Sequence, residues 1–157
     1  MHPSPSRLPE KTRADLIREL NARLADGIDL HSQIKMAHWN VKGSQFPALH
    51  PMFESFANSI ATFNDAFAER AVTLGGLADG TVRHVARASK LKDYPAPTTR
   101  DVEHVTLIAD RIEMFLDGVR GSRRIATEAG DEDTVTLFTE VVGAFEKHAW
   151  FLRSTLA

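Results

Sequence analysis

Ala37-His38-Trp39-Asn40-Val41-Lys42-Gly43, then Leu49-His50, then Asp65-Ala66-Phe67-Ala68-Glu69-Arg70, closing on Leu74-Gly75-Gly76, is the stretch around which the chain is organised. Gly43-Ser44-Gln45 breaks one helix, and a second starts near Pro47, a residue favoured in a first helical turn. His38 lies five residues before Gly43 and His50 seven after it, so an antiparallel hairpin brings both to similar heights on neighbouring helices. Asp65 and Glu69 are an i,i+4 pair on one strip of the second helix. Imidazole and carboxylate are the ligand types that a hard or borderline cation takes.

The hairpin extends into a longer helical pattern on both sides. Ile17, Leu20, Leu24, Ile28 and Ile34 recur at helical spacing, which predicts a first helix over 10–41. Phe53, Phe56, Ile60, Phe63, Phe67 and Leu74 line one face of the second helix, which Gly75-Gly76 stops. Residues 77–98 form a long connection that ends in Tyr94-Pro95-Ala96-Pro97, with a short amphipathic helix expected over 82–90. A third helix is expected to open at Thr98 or Thr99, with Asp101 placed to cap it, and carries Val105, Ile108, Ile112, Phe115 and Val119. A fourth starts at the N-cap Asp131 and carries Val135, Phe138, Val142, Phe145, Ala149 and Leu152. No window alternates with period two. The pattern is all-α, a four-helix bundle whose long crossover bears a short extra helix.

Bundles of this plan can hold two metals at their centre with a Glu-x-x-His motif on each of two helices. No histidine here has Glu three residues before it. The ligand types of the opening stretch meet differently. Fifteen residues of helix between His50 and Asp65 span roughly 22 Å at 1.5 Å per residue, whereas ligands of one metal each lie about 2 Å from it. One chain cannot join the two pairs, but two chains related by a two-fold axis can. On the helical wheel Asp65 and Glu69 point nearly opposite the phenylalanine stripe, with His50 and Glu54 on the flank. An i,i+4 carboxylate pair on an outer face is also what an ordinary solvated helix carries, so spacing alone leaves both readings open.

Bulk composition narrows the classes. The 157 residues, 43% hydrophobic and 25% charged, suit one globular domain. A net charge of −2 advertises no nucleic-acid partner, and the absence of cysteine removes disulfides, thiolate metal sites and a Cys nucleophile. Residues 1–9 hold Pro3, Pro5, Pro9, Ser4 and Ser6 and read as a disordered arm, with the domain over 10–157. No apolar run approaches the roughly 20 residues that cross a bilayer, and the expected location is the cytoplasm.

The quoted stretch, with Tyr94-Pro95, Gly130-Asp131-Glu132-Asp133-Thr134 and Glu146-Lys147-His148-Ala149-Trp150-Phe151-Leu152, resembles the Dps family, the mini-ferritins of ferritin-like fold. The resemblance covers nearly the whole chain beyond the first ten residues. It implies a hollow homo-dodecamer that binds Fe(II) between two-fold-related subunits, oxidises it with hydrogen peroxide in preference to O2, and keeps the ferric oxide inside. Carried over, His38 and His50 are iron ligands from one chain, and Asp65 and Glu69 from the other, in a mono- or di-iron ferroxidase site. Glu54 stands where the family often has Asp and is implied as a further ligand. Trp39 would lie beside the site and take up stray oxidising equivalents.

The same resemblance places the acidic residues Glu128, Asp131, Glu132 and Asp133 along pores for iron entry, with Thr127 and Thr136 where the family often has Asp. Ordinary N-terminal helix charge gives the same cluster. His31, one heptad before His38, is a candidate partner behind the ligands, while His2, His84, His104 and His148 read as structural or surface residues. A DNA-compacting nucleoid protein is the alternative reading, since the family takes its name from DNA binding. The arm argues against it: residues 1–9 carry one Arg and no Lys, and phosphate binding needs clustered positive charge.

Overall fold

The computed structural model describes residues 1–156. Five helices follow one another: α1 (Glu10–Asn40), α2 (Phe46–Thr73), α3 (Val82–Ala88), α4 (Asp101–Glu128) and α5 (Glu132–Leu156). The long helices α1, α2, α4 and α5 form the bundle, α1 packing most extensively on α2 and α4 on α5, and α3 lies against α1. Burial of the apolar stripes, not intrinsic propensity, supplies most of the stability of helices this long.

Val105, Ile108, Ile112, Phe115 and Val119 are all fully buried, as their spacing requires. On α1 the core face is rotated from the expected stripe. Leu16 and Leu30 are fully buried, whereas Ile17 and Ile28 are only partly so. These two isoleucines meet the crossover instead: a Cβ on Gly76 would lie 2.6 Å from Ile17, and one on Gly80 2.9 Å from Ile28. The chain leaving α2 runs over that side of α1, so α1 has apolar demand beyond a single stripe.

The third helix opens at Asp101, two or three residues later than expected, for a tertiary reason. Lys42 donates its N–H to Thr99 O (2.8 Å) and accepts from Asp101 N (2.9 Å), which holds Thr99 and Arg100 extended. Asp101 then receives the Gln45 N–H at 3.2 Å, so its carboxylate braces the start of α2 across the hairpin. That bond, with one from Val102, holds the Asp101 carboxyl below its ordinary range. Gly43 has φ +140, and a Cβ there would sit 2.2 Å from the Asp101 carboxylate, so this bend needs glycine.

The short helix ends earlier than expected because Ser89 and Lys90 bond to α1: Ser89 Oγ to Asp29 (2.6 Å) and Lys90 N to Asp26 (2.8 Å). Residues 1–9, expected as a disordered arm, run along the end of α2. His2 N donates to Gly75 O (2.8 Å) and Ser4 Oγ to Thr73 O (2.6 Å), while Arg13 caps Leu74 O (2.9 Å). These donors occupy carbonyls that the helix end leaves without partners.

Candidate metal-binding half-site

The site is built at the α1–α2 hairpin. Because Lys42 N turns away to Thr99, no following N–H reaches the His38 carbonyl, one of the last of α1. His50 Nδ1 donates to it at 2.9 Å, and His38 Nδ1 donates to the His50 carbonyl at 2.8 Å. A carbonyl can only accept, so both Nδ1 atoms carry their hydrogens. The bonds occupy both Nδ1 atoms and leave both Nε2 atoms for a cation, and a carbonyl that holds the far ring nitrogen is what orients metal-bound histidines. The rings stack with centroids 3.8 Å apart and planes at 25°.

Glu54, one turn beyond His50, closes the same spot. Its Oε2 is 3.4 Å from His38 Nε2 and pairs with Lys35 Nζ. The Lys35 hydrogen bond is the main reason the Glu54 carboxyl stays below its ordinary range, with the histidines adding to it. Lys35 also lies 5.7 Å from the ring centroid of Trp39, which is 66% exposed. His31 sits in the same charge field. Its pKa is pushed down first by burial and then by Lys35, with Glu54 opposing. Lys35 escaped the sequence reading. The signal was its place on the strip shared by His31, His38 and Trp39, three or four residues apart.

Asp65 and Glu69 lie farther along α2 and are exposed. Among the described residues, no three His, Asp or Glu side chains converge on a point where one chain could hold a metal. The fold stacks His38 on His50 and sets Glu54 against His38, and it leaves Asp65 and Glu69 on open surface.

The acidic cluster divides. Asp131 is buried, with Oδ1 2.6 Å from Arg70 Nη2 and Oδ2 accepting from Thr134 Oγ1 at 2.5 Å. Arg70 Nε also donates to Thr134 Oγ1 at 2.9 Å. Both oxygens of Asp131 are thus engaged in joining α2 to the start of α5. Glu128, Glu132 and Asp133 are exposed, as are Thr127 and Thr136. His104 is an interior group, 1% exposed, and His148 is half-buried with both ring nitrogens inside.

Four long helices with one long crossover connection are the ferritin-like plan. The ferritin-like domain family matches residues 17–157. The DNA protection during starvation protein of Agrobacterium fabrum is 35% identical, covering 98% of this chain and 94% of that one. DNA protection during starvation protein 2 of Bacillus anthracis is 33% identical, covering 90% and 96%. Among solved structures, DpsC from Streptomyces coelicolor superposes with a TM-score of 0.94 at 31% identity, covering 99% and 91%. Dps from Vibrio cholerae, described as one of the ferritin-like diiron-carboxylate proteins, gives 0.93 at 25%, covering 100% and 98%. The chain belongs to the Dps family. Among the described residues, no helix is long and apolar enough to cross a membrane.

Proposed function

We propose that the protein is an iron-oxidising and iron-storing mini-ferritin of the cytoplasm that protects DNA by removing Fe(II) and peroxide together. The observation that carries this reading is the reciprocal pair of Nδ1–H bonds between His38 and His50, which leaves both Nε2 atoms for a cation, that of His38 lying 3.4 Å from Glu54. Fe(II) is the substrate. His38, His50 and Glu54 bind it from one chain, and Asp65 and Glu69 come from a two-fold-related chain within a homo-dodecamer. Neutral imidazoles suit Fe(II), while the carboxylates favour the ferric product.

Hydrogen peroxide is the preferred oxidant, with O2 as the slower one. Two Fe(II) ions give one electron each to one peroxide, two protons are taken up, and two waters leave, so no free radical is required. Ferric product passes to the cavity of the cage. The exposed Glu128, Glu132 and Asp133 draw iron toward the pores, and Asp131 contributes through the Arg70 pair that shapes this end of α5.

The test is to load the iron-free cage with Fe(II) without oxygen, add peroxide, and follow ferric absorbance. Wild type is expected to oxidise iron quickly, and a His38→Ala/His50→Ala chain or an Asp65→Ala/Glu69→Ala chain slowly. Co-assembly of the two variants in equal amounts then decides where the site is. Sites built across a two-fold axis recover about a quarter of the wild-type rate, because random pairing leaves one site in four intact. No recovery would refute a site shared between chains.

A further inference from the structure

Tyr94 is the only tyrosine in the chain. Its hydroxyl lies 2.5 Å from Nδ1 of His104, where the crossover meets α4. The two rings lie nearly parallel, at 14° with centroids 5.9 Å apart. The His104 ring also rests beside the backbone carbonyls of Asn40 and Thr98. Asn40 directly follows Trp39, so the pair adjoins the end of α1 that carries the iron ligands. Nothing in the iron site described above uses either residue.

We propose that Tyr94 and His104 form a redox-active pair, in which Tyr94 gives one electron to a strong one-electron oxidant while its proton passes to His104 Nδ1. The oxidant class rests on the iron reading: hydroxyl radical, which forms when one Fe(II) meets peroxide alone, or the indole radical cation that it leaves at Trp39.

The surroundings fit that chemistry. Burial holds the phenol protonated well above its ordinary range, so its electron cannot leave from a phenolate. An oxidised phenol is a strong acid and must shed its proton at once. The imidazole within hydrogen-bond reach is the base placed to receive it. Burial pulls the His104 pKa down, so the ring is neutral and free to accept. Arg111, 6.0 Å from the Tyr94 ring and bonded to Asp93 O at 2.5 Å, fixes the ring's place. Burial of the His104 ring disfavours a lasting imidazolium, with Glu103 and the two carbonyls opposing, and this returns the proton afterwards.

The cycle balances. Hydroxyl radical takes one electron from Trp39 and becomes hydroxide, and the indole radical cation takes one electron from Tyr94 and is restored. The Tyr94 proton moves to His104, leaving a neutral phenoxyl radical and an imidazolium. Fe(II) then returns the electron as it becomes Fe(III), and the proton goes back to the phenoxyl oxygen. The net consumption is again two Fe(II) per peroxide, with the radical held inside the protein shell.

The experiment uses the iron-free cage and photogenerated tris-bipyridine ruthenium(III), so a failure of the iron reading cannot be mistaken for a failure of this one. A phenoxyl radical is expected by transient absorbance and paramagnetic resonance, and Tyr94→Phe should abolish it. Since Tyr94 is the sole tyrosine, the signal has one source. His104→Gln should slow its formation by roughly a hundredfold, the low end of what a positioned base contributes. The unmodified cage supplies a further readout independent of any variant's folding: phenoxyl formation should be slower in D2O than in H2O. No phenoxyl signal in wild type, an unchanged rate in a correctly assembled His104→Gln cage, or equal rates in the two solvents would each overturn the proposal. A pair that only anchors the crossover would give no radical.

Discussion

His148 offers a test of the bundle interior in which magnitude and sign both follow from the structure. Its ring stacks on Phe56 (centroids 4.1 Å, 27°) and meets the edge-on ring of Phe145 at 5.0 Å. Neither ring nitrogen has a hydrogen-bond partner among the described residues. Burial, with a smaller push from Lys147, lowers its pKa from 6.5 to about 4. The folded-state value lies below the unfolded one. The stability carried by the neutral ring is therefore complete above about pH 6.5 and is lost as pH falls through about 4. A shift of this size corresponds to at most about 3 kcal/mol. The residue is partly exposed, and solvent screening reduces this to about 1–2 kcal/mol per chain.

His148→Leu keeps apolar contact with both phenylalanines and cannot titrate. At neutral pH two opposing effects meet. Removing unpartnered buried nitrogens gains about 1–3 kcal/mol, and losing the aromatic contacts costs about 0.5–1.5 kcal/mol. The variant should equal wild type or exceed it by about 1 kcal/mol. The assay is urea unfolding at fixed protein concentration, because assembly shifts apparent stability. Between about pH 7 and about pH 4.5, wild type should lose about 1–2 kcal/mol more than His148→Leu. Parallel pH profiles would show that the ring is solvated in both states and refute the reasoning.

Arg70→Ala leaves the buried Asp131 carboxylate without its cation and should cost about 3 kcal/mol, read as a lower urea midpoint; an unchanged midpoint would mean that Asp131 is solvated. Gly75→Ala forces a side chain onto φ +93, with its Cβ 2.6 Å from His2 O and 2.9 Å from Arg13. A loss of about 1–3 kcal/mol is expected, together with faster proteolysis of residues 1–9, and an undisturbed arm would contradict the contact. Lys35→Gln removes the cation paired with Glu54. Anaerobic calorimetry should show Fe(II) binding roughly tenfold tighter, because a like charge beside the site is gone. Weaker binding would mean instead that Lys35 holds Glu54 in its binding position.

Much of this protein follows from local chemistry and period. The 3.6-residue recurrence of apolar side chains predicts four long helices, the short one in the crossover follows from its amphipathic pattern, and α5 begins at Glu132, directly after the Asp131 expected to open it. His38 and His50 were legible as a pair because a hairpin of known length sets their heights, and the structure brings their rings together. The separation of His50 from Asp65 was legible too, since helical rise turns sequence distance into length.

Tertiary structure decided what depends on neighbours remote in sequence. Which face of α1 is core was settled by the crossover passing over Ile17 and Ile28. The Lys42 bond to Thr99 leaves the His38 carbonyl to His50 Nδ1, and the His50 carbonyl takes His38 Nδ1 in return. Tertiary packing settled that Asp131 and His104 are buried and that both ring nitrogens of His148 are, where the sequence left the histidines structural or surface. Periodicity reports that a side chain faces inward or outward along its own helix. It carries no record of which donor, acceptor or charge another helix places against it, and those contacts fix protonation and therefore chemistry.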